Sequence, residues 1–290
     1  MRAIRFETPA AAGRLLPALL TMLLLACSPP QRDERRPVVA VSVPPLAWFV
    51  QQLAGDRVKV EIMIPPGANH HAWEPDLEQM RAANKAALYV KVGHPHFTFE
   101  QTWLRRLVEA NAAVRVVDCS AGIDGLEEDP HLWVSPATAR RFVPALAAAL
   151  KQILPDASGE VDSAQAALLA SIDALDADVR RILAPVAGKR FYVFHPAWGY
   201  LARDYGLVQI SIEHGAKEPG AAELAQLMRD ARADGANVIF VQPEFSSRSA
   251  RVVADEIGAK LVSLDPLALD WPVAIRDAAE AIAASLDPED

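Results

Sequence analysis

The stretch GEVDSAQAALLASIDALDADVRRILA, residues 159–184, decides how the rest of the chain is read. Apolar residues recur at Val161, Leu168, Ile172, Leu175, Val179 and Ile182, mostly three or four apart, and no Pro or Gly follows Gly159. That spacing predicts one amphipathic helix of about 25 residues, about 37 Å long at ~1.5 Å per residue. Such a helix can run along two domains and join them. On either side of it the sequence has the same rhythm. Before it, β-branched runs at 38–43, 57–64, 87–92 and 114–118 alternate with helical spacing that starts near Pro45, Pro75, Glu100 and Ser135. After it, runs at 191–194, 207–212, 237–241 and 260–264 alternate with helices near Ala197, Gly220, Ser247 and Pro272. Near-continuous apolar strands separated by helices predict parallel sheets covered on both faces. The expected fold class is α/β, with two parallel-sheet βα lobes at 38–156 and 188–290 joined by a single long helix at 157–187.

Composition agrees with two sizeable cores. Of 290 residues, 51 % are hydrophobic, which excludes disorder as the general state. Lys and Arg number 29 against 37 Asp and Glu, for a net charge of −8. That balance argues against nucleic acid as a partner, since such affinity comes mostly from cations neutralising phosphates. The charge is uneven: residues 1–26 hold Arg2, Arg5 and Arg14 against Glu7, which leaves −10 on the remainder. Two cysteines, Cys27 and Cys119, exclude a cystine framework.

The N-terminus reads as an address. A basic start is followed by a run of about a dozen apolar residues, too short for a membrane span of about 20, and by a small residue before Cys27. Residues 1–26 are expected to be a bacterial export signal. Leu24-Leu25-Ala26-Cys27 resembles a lipobox, so Cys27 is expected to carry lipid and to hold the protein to a membrane, at the cell surface or in the periplasm. An ordinary signal with an incidental cysteine is the alternative. Residues 28–37, SPPQRDERRP, are polar and proline-rich and would form a tether within the segment 27–37.

Open parallel sheets bind ligands past the carboxyl ends of their strands. The unusual residues fall at that edge. After the second strand comes Asn69-His70-His71-Ala72-Trp73-Glu74-Pro75, and after the fourth Asp129-Pro130-His131-Leu132-Trp133. The fifth strand ends Phe194-His195-Pro196-Ala197-Trp198-Gly199-Tyr200, and the eighth Leu264-Asp265-Pro266-Leu267. Three imidazoles with one carboxylate suit a borderline divalent cation such as Zn²⁺. A proline beside His131, His195 and Asp265 would stiffen the backbone that presents each donor.

These four motifs together resemble the zinc/manganese solute-binding proteins of bacterial ABC transporters, in order and over nearly all of the chain from Val38 on. The resemblance implies a metal held in the cleft between two α/β lobes, with His71, His131, His195 and Asp265 as ligands, and delivery of that metal to a membrane permease. Manganese-type members tend to place Glu where this chain has His195, so three histidines point to zinc as cargo, with manganese or iron as the runner-up. Residues 120–128 lack the His-rich acidic loop of many zinc members, and Trp73 stands where Tyr or Phe is more usual. A monomer is expected. An adhesin role is a further class that the resemblance brings with it.

Other residues have ordinary readings beside functional ones. His70 could replace His71, although neighbours in a loop generally point apart. His94-Pro95-His96 also follows a strand, but two donors make a weak site. Glu244 and Glu74 could enter a coordination sphere or simply start helices. Trp73, Trp133, Trp198 and Tyr200 would dry the cleft or pack the lobes together. Cys119 reads as a buried thiol at a strand end. The rival class is an exported zinc hydrolase, with Asp265 or Glu244 as general base; a fourth protein ligand would close the position that its water needs, and no H-E-x-x-H helix is present.

Overall fold

The computed structural model describes residues 36–125, 128–213, 220–245 and 248–286. The expected export signal at 1–26, Cys27 and nearly all of the tether lie outside the described residues. From Pro37 on the chain forms one compact unit. It contains two sheets of four parallel strands each. The first holds β1 (Val38–Val41), β2 (Lys59–Ile62), β3 (Ala86–Lys91) and β4 (Arg115–Asp118), in the order β2-β1-β3-β4. The second holds β5 (Arg190–Val193), β6 (Val208–Ser211), β7 (Val238–Val241) and β8 (Lys260–Ser263), in the order β6-β5-β7-β8. The order is the same in both, and every pair is parallel.

Helices cross between the strands: α1 (Pro44–Ala54), α2 (Leu77–Ala83), α3 (Arg105–Ala110) and α4 (Pro136–Ile153) in the first lobe. The second lobe has α6 (Gly199–Tyr205), α7 (Ala221–Ala233), α8 (Arg248–Ile257) and α9 (Trp271–Leu286). Between the lobes runs α5 (Ser158–Leu183), 26 residues long. Its buried stripe is Val161, Leu168, Ile172, Leu175, Val179 and Leu183, and with it α5 packs on α1 and α4 of one lobe and on α9 of the other. Each such side chain contributes about 1.5–3 kcal/mol of apolar burial, which is why a helix lacking a side-chain N-cap is stable here. Among the described residues no helix is long and apolar enough to cross a membrane.

Two tryptophans tie the lobes together near the strand ends. Trp133 Nε1 donates to the Pro266 carbonyl at 2.7 Å, and Trp271 Nε1 donates to the Trp133 carbonyl at 2.7 Å. Both indoles are fully buried, so each N–H has a partner where water cannot reach.

Candidate metal centre

Past β2 the chain turns at Asn69, whose Oδ1 accepts the His71 N–H at 2.9 Å while its carbonyl accepts from Ala72 and Trp73. Side chains in a strand leave on opposite faces, but neighbours in a tight turn diverge less. His70 and His71 therefore face the same space, with ring centroids 4.2 Å apart. Trp73 fixes the far end of the turn by donating its ring N–H to the Met63 carbonyl at 2.8 Å.

His131 enters from the segment after β4. Its Nδ1–H donates to Asp129 Oδ1 at 2.6 Å, and its backbone N–H donates to the same oxygen at 2.9 Å. Asp129 Oδ2 accepts from the Gly199 N–H of the second lobe at 3.1 Å, so one carboxylate holds the ring and bridges the lobes. His195, at the end of β5, donates its Nδ1–H to Glu213 Oε2 at 2.9 Å, and its carbonyl accepts from Gln242 Nε2. A carboxylate behind Nδ1 sets the tautomer and leaves Nε2 as the free donor, as in most histidine metal sites.

Those free nitrogens converge. His71 Nε2 lies 3.4 Å from His195 Nε2, and His70 Nε2 lies 3.3 Å from His131 Nε2. One ring nitrogen each from His70, His71 and His195 falls within 4.8 Å of the others. Phe245 stacks on His195 at 4.4 Å, Phe97 lies parallel to His70 at 5.8 Å, and Trp133 stands across His131 at 5.3 Å. Burial in these apolar walls, with repulsion between the rings, lowers the imidazole pKa values: His71 to about 4, His70 well below its usual value, His195 in the same direction despite Glu213. At neutral pH these rings are uncharged and ready to bind a cation.

The imidazoles that the structure gathers within 4.8 Å of one another are thus His70, His71 and His195; among the described residues His131 stands outside that group, against His70 at 3.3 Å, and Asp265 stands outside it too. Past β8, Asp265 Oδ1 accepts from the Leu267 N–H at 2.8 Å, and its neighbour is Glu244, past β7. Both Glu244 oxygens are buried without a partner; burial first, then the Asp265 charge, push its carboxyl up to about 7, and burial raises Asp265 as well. His94 is buried and His96 exposed, and His94 Nδ1 accepts the His96 N–H at 3.1 Å, so this pair does not present two nitrogens to one ion. Glu74 is exposed and starts no helix, because Asp76 and Gln79 form the capping box of α2. Cys119 is a free, buried thiol just past β4.

Sequence reasoning missed Glu213 and the part that Asp129 plays. The signal for Glu213 was available: it follows β6 at the same carboxyl edge as the other donors. Asp129 stands two residues before His131, the offset at which an Asx side chain reaches back to the chain after it.

The chain matches the family described as zinc-uptake complex component A, periplasmic, over residues 39–285. It is 28 % identical over 276 residues to the zinc-binding lipoprotein AdcA of Streptococcus pneumoniae serotype 4, covering 87 % of this chain and 54 % of that protein. It thus spans about half the length of that relative. To the high-affinity zinc uptake system protein ZnuA of Bacillus subtilis it is 30 % identical over 248 residues, covering 77 % of this chain and 76 % of the relative. A crystal structure of a zinc-bound ZnuA deletion mutant superposes with a TM-score of 0.83 at 37 % identity, covering 88 % of this chain and all of that one. Fold, strand-end chemistry and likeness agree, and the chain belongs to the periplasmic zinc-uptake component A family.

Proposed function

We propose that this protein is the extracytoplasmic receptor of a metal ABC transporter, which captures Zn²⁺ between its lobes and hands it to a membrane permease. One observation supports the reading: ring nitrogens of His70 and His71 from one lobe and His195 from the other lie within 4.8 Å of one another, with the Nε2 atoms of His71 and His195 3.4 Å apart. His71, His131 and His195 serve as ligands, and Asp265 is the carboxylate that the family resemblance puts in the fourth place. Capture exchanges the ion's water for rings that Asp129 and Glu213 already hold in the binding tautomer, so little ordering remains to be done when the ion arrives. Lipid on Cys27 and the tether after it would keep the receptor, as a monomer, close to its permease.

Nitrogen donors favour zinc over manganese, which prefers oxygen. Manganese and iron are the alternatives within this class. A zinc hydrolase would need an open metal position and a family other than that of an uptake component. Competition calorimetry on metal-stripped protein tests the cargo. Zinc binding tighter than manganese by a factor of at least ~100 is expected of this donor set; comparable affinities would remove the zinc assignment, and absence of zinc binding would remove the receptor reading.

A further inference from the structure

We propose that Trp73 is a positioning residue for metal capture: its indole N–H closes residues 63–73 into a ring and so sets His70 and His71 against His195 before any ion arrives. This rests on the receptor reading above and names what holds one side of that site in place.

The histidines are not held alike. Behind His131 and His195 stand carboxylates, those of Asp129 and Glu213, each bonded to Nδ1. His70 Nδ1 has no hydrogen-bond partner, and the hydrogen bonds of His71 are a backbone one to Asn69 and a ring one to His195. Where no side chain orients a ring from behind, the main chain that carries it must do so. For His70 and His71 that main chain is the turn between β2 and α2.

The far side of this turn is fastened at Met63. That residue is fully buried just past β2, and its N–H is pinned to the Val41 carbonyl at 2.9 Å. Its carbonyl accepts the Trp73 ring N–H at 2.8 Å, a contact across ten residues. The second donor to that carbonyl, Gln79 Nε2, lies at 3.3 Å and is shared with the Ile62 carbonyl, while Gln79 Oε1 accepts the Asp76 N–H in the capping box of α2. Trp73 therefore makes the shorter and the undivided bond. Its backbone N–H donates to the Asn69 carbonyl at 2.9 Å, and its indole packs on the core that the first lobe shares with α5. One residue thus ties the Asn69 turn to a strand end, with His70 and His71 between.

Phenylalanine in this place would keep apolar contact but has no ring donor. The buried carbonyl would lose its better partner. Residues 64–72 would regain freedom in the metal-free protein, and that freedom would have to be lost again on binding. The cost would fall on zinc binding and leave the sheet behind it alone.

The test compares the full metal-stripped chain with Trp73→Phe and with the isostere in which sulfur replaces the ring N–H at position 73 alone. Zinc affinity by chelator competition should fall about 10-fold in both, the low end of what supporting partners of a metal site cost, while the metal-free Tm stays within about 2 °C. Hydrogen exchange at the His71, Ala72 and Trp73 amides, which Asn69 holds, should quicken without metal and slow again with zinc, and β1 and β3 should not change. An isostere that binds zinc within about 2-fold of the parent, unchanged exchange at these amides, or loosening that reaches β1 and β3 would overturn the proposal and leave the receptor reading intact. A parent chain that takes up no zinc would overturn both. The isostere differs from the parent by one ring position, so it decides even where Trp73→Phe fails to fold.

Discussion

Corresponding strand ends carry different chemistry in the two lobes. β2 and β6 hold the same place in their sheets, as do β4 and β8. Past β2 and β4 come His70, His71 and His131; past β6 and β8 come Glu213 and Asp265. Among the described residues, His195 past β5 is the one imidazole that the second lobe adds to the cluster. One lobe supplies nitrogen and the other supplies most of the negative charge. On the proposed function neither lobe would hold the ion alone, so binding would report on the relation between them.

The cores differ too. The larger runs from the first lobe through α5 and α9 to one side of the second sheet, and includes Ile172 and Ile275. The smaller, around Tyr192, Ile239 and Val253, lies with α7 and α8 and involves few fully buried residues. Segments resting on small cores open first, and Glu213, Glu244 and Phe245 sit on the loops that enter α7 and α8.

The largest expected effect breaks or keeps that division. Ile172→Ala and Ile239→Ala should each cost about 2–5 kcal/mol in urea unfolding. In hydrogen exchange the first should loosen both lobes and the second only the layer of α7 and α8. Equal loosening everywhere would mean one core rather than two. Next comes His195→Ala, which leaves every clustered imidazole on one lobe. Zinc at 100 times its Kd stabilises by about 2.7 kcal/mol, and most of the resulting rise in Tm should disappear; an unchanged rise would show that zinc does not bridge the lobes. Glu213→Gln keeps the shape but not the charge behind His195. Calorimetry should find zinc weaker by ~10–100-fold with the metal-free Tm nearly unmoved.

The smallest effect is a difference of signs. His70, His71 and His195 have folded pKa values below the unfolded value near 6.5, with His71 at about 4. Below pH ~6.5 the unfolded chain therefore binds more protons, and metal-free stability falls on acidification toward about pH 4, while it is fully present above ~6.5. Glu244 runs the other way: its folded value is raised to about 7, so acidification below that pH favours the folded state. Glu244→Gln should therefore lose stability more steeply than the parent between pH 7 and pH 5. An equal loss would place the carboxylate in water.

Much of this was legible from residue patterns. All eight strands fall where β-branched runs predict, and the Gly55–Arg57 turn explains why β2 begins at Lys59 rather than two residues sooner. The long helix was readable because its stripe repeats without Pro or Gly. The start of the third helical segment near Glu100 was readable too, but its π-helical form was not. Glu100 opens it with a π-helical turn because its buried carboxylate accepts from the Val92 and Gly93 N–H groups, a contact across eight residues that no local spacing encodes. In the site, three histidines were readable from their strand ends. The direction of His70 was not, since it depends on the Asn69 turn. Glu213 shares the carboxyl edge with the other donors, but its contact with His195 spans 18 residues and leaves no local spacing to read.

Trp133 carries a last consequence. Its indole is inclined at 68° to the His131 ring at 5.3 Å, and its ring N–H is tied to Pro266 of the other lobe. An imidazole that takes up a dication changes the field on the excited indole beside it, and any shift between the lobes strains the same N–H. If the cleft takes up zinc as proposed, the molecule would carry its own optical gauge: occupancy would be followed in tryptophan emission, with no label and no second protein present.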